Sequence, residues 1–388
     1  MRIGNYSKHQ VPANSYSPMH YDAIIVGGGL AGASAAILLA EQGQRVLLLE
    51  QQRYPVHKLC GEFLSVEVQE VFARLGVLAA VQEAGARPIR HTRLTTADGA
   101  VFEARLPGTA LGLSRYVLDP LLVGRAQALG VEVRVGCAVQ AVQGGFREGF
   151  TVQTGQGTFT ARLVLGAWGK REALDRKLHR PFMQEQSPFV AFKAHFEGLD
   201  LGDGIELHAF PGGYCGLSPI EGGRVNACWI AHRTVLQADG GRPEAMMAGA
   251  FQQNPALAER LDRLQRVTGF CAVSQVRFAR KETFCGDLCL LGDAAGTIAP
   301  LCGDGMAMAL RSAELAAPLA LAYLDGRHTS EAFRQHYTQA WAAAFTLRLR
   351  LGRWLHYGYI HPLLAGWALR ALRQVPGVGH WLIRKTRG

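Results

Sequence analysis

The sequence predicts a mixed α/β fold in three parts: a parallel-sheet unit assembled from separated stretches of chain, an antiparallel-sheet unit inserted into it, and a helical C-terminal segment. Three observations predict it. Residues 21–50 run from an apolar stretch through a glycine-rich turn into an Ala/Leu-rich helix and on to a second apolar stretch. A similar apolar strand ending in glycine returns late in the chain, at Leu288–Gly292. Between them, residues 188–231 have strand character, with Phe192, Ala194 and Phe196 alternating against Lys193 and His195.

The first element is the most specific. Ala23–Val26 leads into Gly27-Gly28-Gly29-Leu30-Ala31-Gly32, a helix follows, and the strand Arg45–Leu49 ends on Glu50. This is a Rossmann-like βαβ unit carrying G-x-G-x-x-G with an acid after its second strand, the arrangement that binds an ADP-containing dinucleotide. Gly27 permits the tight turn, Gly29 lets a pyrophosphate approach the backbone, and Gly32 lets helix and strand pack closely. The helix N-terminus offers free N–H groups to phosphate, and Glu50 is placed to accept hydrogen bonds from a ribose.

Further along, an amphipathic helix is expected over Val66–Leu75 and a hairpin over 88–105, turning at Asp98-Gly99. Ser114 and Arg115 open a helix over 118–129, and short strands follow at Val131–Val135, Gly149–Thr154 and Phe159–Leu165. A helix is expected over 243–263, strands near 265–280, and a helix from Asp304 to Leu324. The last stretch reads as helical, broken at Pro362 and Pro376. The resulting division assigns 20–86, 106–178 and 270–328 to a discontinuous dinucleotide-binding domain, 87–105 and 179–269 to an inserted substrate domain, and 329–388 to the C-terminal helical segment.

The chain has 388 residues and a formal charge of +10, but that charge is local. From Ala340 to Gly388 there are eight Lys/Arg and no acid, which leaves +2 on the rest. No base-reading or stacking module accompanies it, so nucleic acid is not an expected partner. Eight scattered cysteines and a polar stretch over 1–20 without an apolar core read as reduced thiols in a cytoplasmic protein. Cys285 and Cys289 lack a second pair, so no metal site is expected. No uninterrupted apolar stretch reaches the ~18 residues of a spanning helix.

Four segments occur in a fixed order: the fingerprint at 27–50, Pro55-x-x-Lys58-x-Cys60-Gly61-Glu62, Arg115-x-x-x-Asp119, and Gly292-Asp293-Ala294-Ala295-Gly296 followed by Pro300-x-x-Gly303-x-Gly305. With them the chain resembles the FAD-dependent oxidoreductases of the para-hydroxybenzoate hydroxylase fold, and within these the geranylgeranyl reductase-like branch. The resemblance implies an FAD-binding domain with an inserted substrate domain. It assigns Asp293 to the ribityl chain, Arg115 to the phosphate–ribityl region, and Pro300, Gly303, Gly305 and Met306 to the surroundings of the flavin ring. It places Cys60 close to the flavin, with Gly61 allowing the approach and Lys58 able to favour a thiolate, so Cys60 is the candidate catalytic residue. Phe210-Pro211-Gly212-Gly213-Tyr214-Cys215-Gly216 resembles the element lining the substrate cavity of that branch, which makes Phe210, Pro211, Tyr214 and Gly216 candidate substrate contacts.

One departure stands out. Hydroxylases of this fold carry an Asp-Gly pair where this chain has Trp168-Gly169, so NAD(P)H is left open as the electron donor. The halogenase signature W-x-W-x-I-P is absent. Four of the six tryptophans (341, 354, 367 and 381) lie among the basic residues of the C-terminal segment, a mixture suited to a lid or to peripheral contact with a membrane. The expected function is reduction of a carbon–carbon double bond in an isoprenoid or polyketide-type lipid. The alternatives are hydroxylation of a hydrophobic or aromatic substrate by an FAD monooxygenase, and a flavin-binding redox sensor without turnover.

Overall fold

Four apolar residues in succession, Ala23–Val26, have two faces to bury, and they lie in the middle of a sheet whose both faces are covered. The computed structural model describes residues 20–170, 172–278 and 281–387. The N-terminal stretch 1–19 and Arg171 lie outside the described residues, and with them the reading of a missing leader. His20–Val26 pairs in parallel with Val46–Glu50 on one side and Gly157–Gly166 on the other. The sheet continues outward to Glu132–Val135 beyond the first and to Leu288–Leu290 and Phe284–Cys285 beyond the second. Gly149–Thr154 and Val139–Gly145 form a hairpin arm on Gly157–Gly166. The helix Leu30–Ala40 packs against Arg115–Ala128 and Gly305–Leu324. Gly305–Leu324 is long and apolar enough to cross a membrane by length and composition. Its Leu310, Ala313, Ala316 and Ala320 are fully buried in this core.

The second sheet has nine strands and is mostly antiparallel. Its centre is the run Phe189–Glu197, Val225–His232, Gly213–Pro219 and Gly204–Phe210, flanked by Arg87–Thr95 and Val101–Gly112. Side chains alternate across it. Phe192, Ala194, Phe196 and Trp229 face the helices Pro243–Ala248 and Pro255–Leu261, whereas Ala191, Leu207, Tyr214 and Ile230 face the other way.

Several boundaries differ from those expected. The strand expected to end near 105 runs to Gly112, where Phe63–Leu64 pairs with it. The nine-stranded sheet therefore draws on residues outside 87–105. The helix expected over 243–263 is three short pieces, because Asn254 caps Pro255–Leu261 through the Ala256 and Leu257 amides and a residue before proline leaves the α region. The helix expected from 118 starts at Arg115, with the Ser114 side chain accepting from the Val117 amide.

The C-terminal helices Ser330–Ile360, Pro362–Gln374 and Pro376–Arg387 fold back over both units. Tyr359 closes against the second sheet, its hydroxyl donating to the Leu207 carbonyl at 2.7 Å.

Candidate functional site

Two cavities of about 1380 Å³ and about 1430 Å³, counted to their open mouths, meet between the sheets. Gly29, Leu59, Arg115, Lys170 and Asp293 belong to both walls, so they form one elongated space.

At one end lie Gly27, Glu50, Cys137 and Val139. Gly27 has φ +108°, and a Cβ there would sit 2.5 Å from the Ala167 carbonyl oxygen. A Cβ on Gly29 would meet only the Arg115 guanidinium, at 3.4 Å, so that glycine opens onto the cavity. Leu30 and Ala31 of the first helical turn also line the space, and among the described residues no side chain caps this helix. Its end is therefore free to receive an anion. The Glu50 carboxylate accepts from the Gly28 and Gln52 amides, both at 2.9 Å. This is a cradle that a dinucleotide fits.

In the middle, Arg115 is held by Asp119, whose Oδ2 accepts from the guanidinium at 2.8 Å and also from Lys58 Nζ at 2.8 Å. Burial alone would raise the Asp119 carboxyl, but Arg115 and Lys58 bring it below the usual range, so it stands as a fixed anion orienting two cations. Lys58 is thus committed to Asp119 rather than to Cys60. The Cys60 sulfur instead accepts from the Glu62 amide at 3.5 Å and lies in hydrogen-bonding contact with Arg115. Asp293 lines both cavities, its carboxylate 3.8 Å from Lys170 Nζ and its carbonyl accepting from Lys281 Nζ at 2.8 Å.

At the far end the wall is built by Pro300, Gly303, Gly305 and Met306 on one side and by Cys60, Gly61, Tyr214, Gly216, Ser218 and Ile230 on the other. Tyr214 and Gly216 are thus part of the cavity wall. Phe210 and Pro211 do not line the cavity, and this corrects the expectation for both. The turn at Pro211-Gly212 pairs Phe210 with Gly213 and Ala209 with Tyr214, so Phe210 points to the opposite face and stacks on Phe251. Trp168 lines the dinucleotide end, its indole N–H donating to Asp175 at 3.1 Å.

A buried charge cluster beneath Cys60 was missed. Glu62, fully buried and at φ +53°, accepts from the Arg115 amide at 2.8 Å, from His195 Nε2 at 2.7 Å and from Lys193 Nζ. Burial works to raise its carboxyl, and the His195 hydrogen bond and the Lys193 charge overcome it, so the net shift is downward. Lys193 Nζ also reaches the Lys58 carbonyl at 3.3 Å, and the Asn226 amide donates to the Cys60 carbonyl at 3.1 Å. The loop 58–62 is therefore tied to the second sheet at three points. Breaking one partner of a buried pair costs about 3–5 kcal/mol. Glu62→Gln should lower the urea midpoint of the FAD-loaded protein accordingly.

Asp304 precedes the helix Gly305–Leu324 and accepts from Arg348 of the C-terminal helix at 2.9 Å and from Ser65 at 3.2 Å. Burial pushes its carboxyl up to about 7, with Arg348 opposing and Glu67 adding to the rise. The native state therefore holds a proton that the unfolded chain, with an ordinary value near ~3.9, releases. Stability should fall as pH rises through this window by up to about 4 kcal/mol and level off above it. Thermal melts across the window should show that slope, and Asp304→Asn should flatten it.

The family model described as FAD binding domain matches residues 20–344. Digeranylgeranylglycerophospholipid reductase 2 of Methanopyrus kandleri is 26% identical over 340 residues, covering 84% of this chain and 83% of the relative. Menaquinone reductase of Mycobacterium tuberculosis is 26% identical over 355 residues, covering 85% and 83%. Among solved structures, the flavin-dependent brominase Bmp2 superposes with a TM-score of 0.81 at 20% identity, covering 95% of this chain and 93% of that one. PqsL, a probable FAD-dependent monooxygenase from Pseudomonas aeruginosa, gives 0.73 at 21% identity, covering 89% and 98%. At these identities the solved structures speak for the fold alone.

Proposed function

We propose, from the premise that this chain belongs to the FAD binding domain family, that it is an FAD-dependent reductase saturating a carbon–carbon double bond of an isoprenoid or polyketide-type lipid. The observation that carries this reading is the continuous cavity, dinucleotide-shaped at one end and apolar at the other, with the Cys60 loop at the junction. The two reductases named above act, by their names, on isoprenoid lipids and a quinone, and support the reading. When bound and reduced, FAD supplies a hydride to one carbon of the double bond.

The chain's own residues do the rest. Gly27, Gly29, Gly32 and the free helix end would hold the diphosphate, Glu50 a ribose, Arg115 and Asp293 the phosphate–ribityl region, and Pro300, Gly303, Gly305 and Met306 the ring. Cys60 and Tyr214 bring an S–H and an O–H to the cavity wall, and burial keeps the Tyr214 hydroxyl protonated. In this reading Cys60 gives the proton that the second carbon needs. The apolar wall of Leu207, Ile230 and Leu301 excludes water around it. Chemically reduced, FAD-loaded protein should reduce a double bond without oxygen. If product forms only with oxygen uptake and the protein is inactive anaerobically, the monooxygenase reading replaces this one.

The C-terminal helices extend the proposal to a membrane surface. Their inner face covers the second sheet, while Trp354, Leu363 and Trp367 on the outer face are 81%, 80% and 72% exposed. Arg350, Arg353 and Arg373 are exposed on the same helices. Tryptophan at headgroup depth plus about 1 kcal/mol per arginine at an anionic surface gives reversible docking. Trp354→Ala with Trp367→Ala should weaken co-sedimentation with phosphatidylserine vesicles at least ~10-fold and leave the flavin content unchanged.

A further inference from the structure

Strand register orders the cavity-facing side of the second sheet by polarity. His195, Asn226 and Ser218 are paired across three strands and form a polar row. The next row is Lys193, Cys228, Gly216 and Leu207. The third, Ala191, Ile230, Tyr214 and Ala209, adjoins Leu301 of the 300–306 loop and Tyr359 and Leu369 of the C-terminal cover. The charged and amide side chains thus gather by the loop of Cys60 and Glu62, whereas the row nearest the helices is apolar but for the buried Tyr214 hydroxyl, which also lines the cavity.

The polar row has unspent hydrogen-bonding capacity. Ser218 is 2% exposed, lines the cavity, and its hydroxyl has no partner among the described residues. Asn226, fully buried, donates its amide N–H to the Cys60 carbonyl, and its side-chain oxygen has no partner among the described residues. A buried hydroxyl left unpaired costs about 1–3 kcal/mol, and a wall that carries one is complementary to a molecule that pairs with it.

We propose that the cavity selects an amphipathic lipid bearing a hydroxyl or carbonyl oxygen at its head, and binds that oxygen at Ser218 with the tail running over Ile230 and Tyr214 toward the C-terminal helices. This rests on the lipid-reductase reading and names what that reading leaves open: the head group and the direction of the ligand. A plain isoprenoid hydrocarbon covers Leu207, Ile230 and the Tyr214 ring and leaves Ser218 unpaired. In this orientation the double bonds near the head, not those of the tail, lie by the Cys60 loop.

The test is binding to FAD-loaded, oxidised protein, read by titration calorimetry with geranylgeraniol, its deoxy hydrocarbon and geraniol. Geranylgeraniol should bind at least ~10-fold tighter than the hydrocarbon, and Ser218→Ala, which removes one oxygen and adds nothing, should erase that difference. Geraniol should keep the dependence on Ser218 at lower affinity, because its head is the same and its tail shorter. Equal affinity for alcohol and hydrocarbon, or a preference that survives Ser218→Ala, overturns the proposal. No turnover is needed, so a failure of double-bond reduction would sink the reductase reading without touching this result.

Discussion

Gly32→Ala is expected to give protein with no retained flavin and a weakened core, whereas Gly29→Ala is expected to fold normally and lose only the flavin. The difference lies in what a methyl group meets. At Gly32 it would sit 1.9 Å from the Gly27 carbonyl oxygen and 3.2 Å from Ala167 Cβ. The obstacle is backbone, and Gly27 is itself pressed against Ala167, so no side-chain rotation relieves it. The helix Leu30–Ala40 must move off the sheet, at a cost at or above the ~1–3 kcal/mol of ordinary overpacking. At Gly29 the backbone is extended, with φ −79° and ψ −170°, which suits alanine, and the nearest atom is the Arg115 guanidinium at 3.4 Å. The methyl then projects into the gap between helix end and Arg115, where the proposed diphosphate would lie. Apoprotein melting should be lowered by Gly32→Ala and unchanged by Gly29→Ala. Flavin absorbance relative to protein should be lost in both. Retention of flavin by Gly29→Ala would remove the diphosphate from this cradle.

The parts of the site that the sequence announces are those whose geometry is local. Gly27, Gly29 and Gly32 are separated by one turn of backbone, and Arg115 and Asp119 are one helical turn apart, so their spacing carries their contact. Glu62 with Lys193 and His195 carries no such signal, because the partners lie 131 and 133 residues apart. Alternation along Phe189–Glu197 does place Lys193 and His195 on the face opposite Phe192. It cannot tell whether that face meets water or the loop of another unit. The misplacement of Phe210 had a legible remedy. A two-residue turn at Pro211-Gly212 fixes parity, and parity alone separates Phe210 from Tyr214. Ser218 was invisible for a different reason: an unpaired hydroxyl is a property of packing, and no spacing encodes it.

The same hairpin supplies the second large effect, since two of its glycines should fail in opposite ways. A Cβ on Gly213 would lie 2.5 Å from the Ile230 carbonyl oxygen and 2.5 Å from the Phe210 ring. Gly213→Ala should therefore lower the melting temperature, through strain between strands. A Cβ on Gly216 meets the tip of Leu207 at 3.3 Å and, at ordinary contact distance, the Cys228 and Glu206 carbonyl oxygens at 3.7 Å and 3.9 Å, and a tip can rotate away. Gly216→Leu should leave both fold and flavin content intact and put an isobutyl group across the cavity between Leu207 and Cys228, where the proposed lipid would lie against the sheet. Displacing a bound chain by even a fraction of its width moves the reacting carbon off its near-attack distance, and misplacement by about 1 Å costs on the order of 100-fold in rate. Anaerobic reduction by Gly216→Leu should fall by at least that factor while the flavin spectrum stays that of the parent. Unchanged turnover would place the lipid elsewhere than on this face, and lost flavin would mean that the cofactor, not the lipid, occupies the space in front of Gly216.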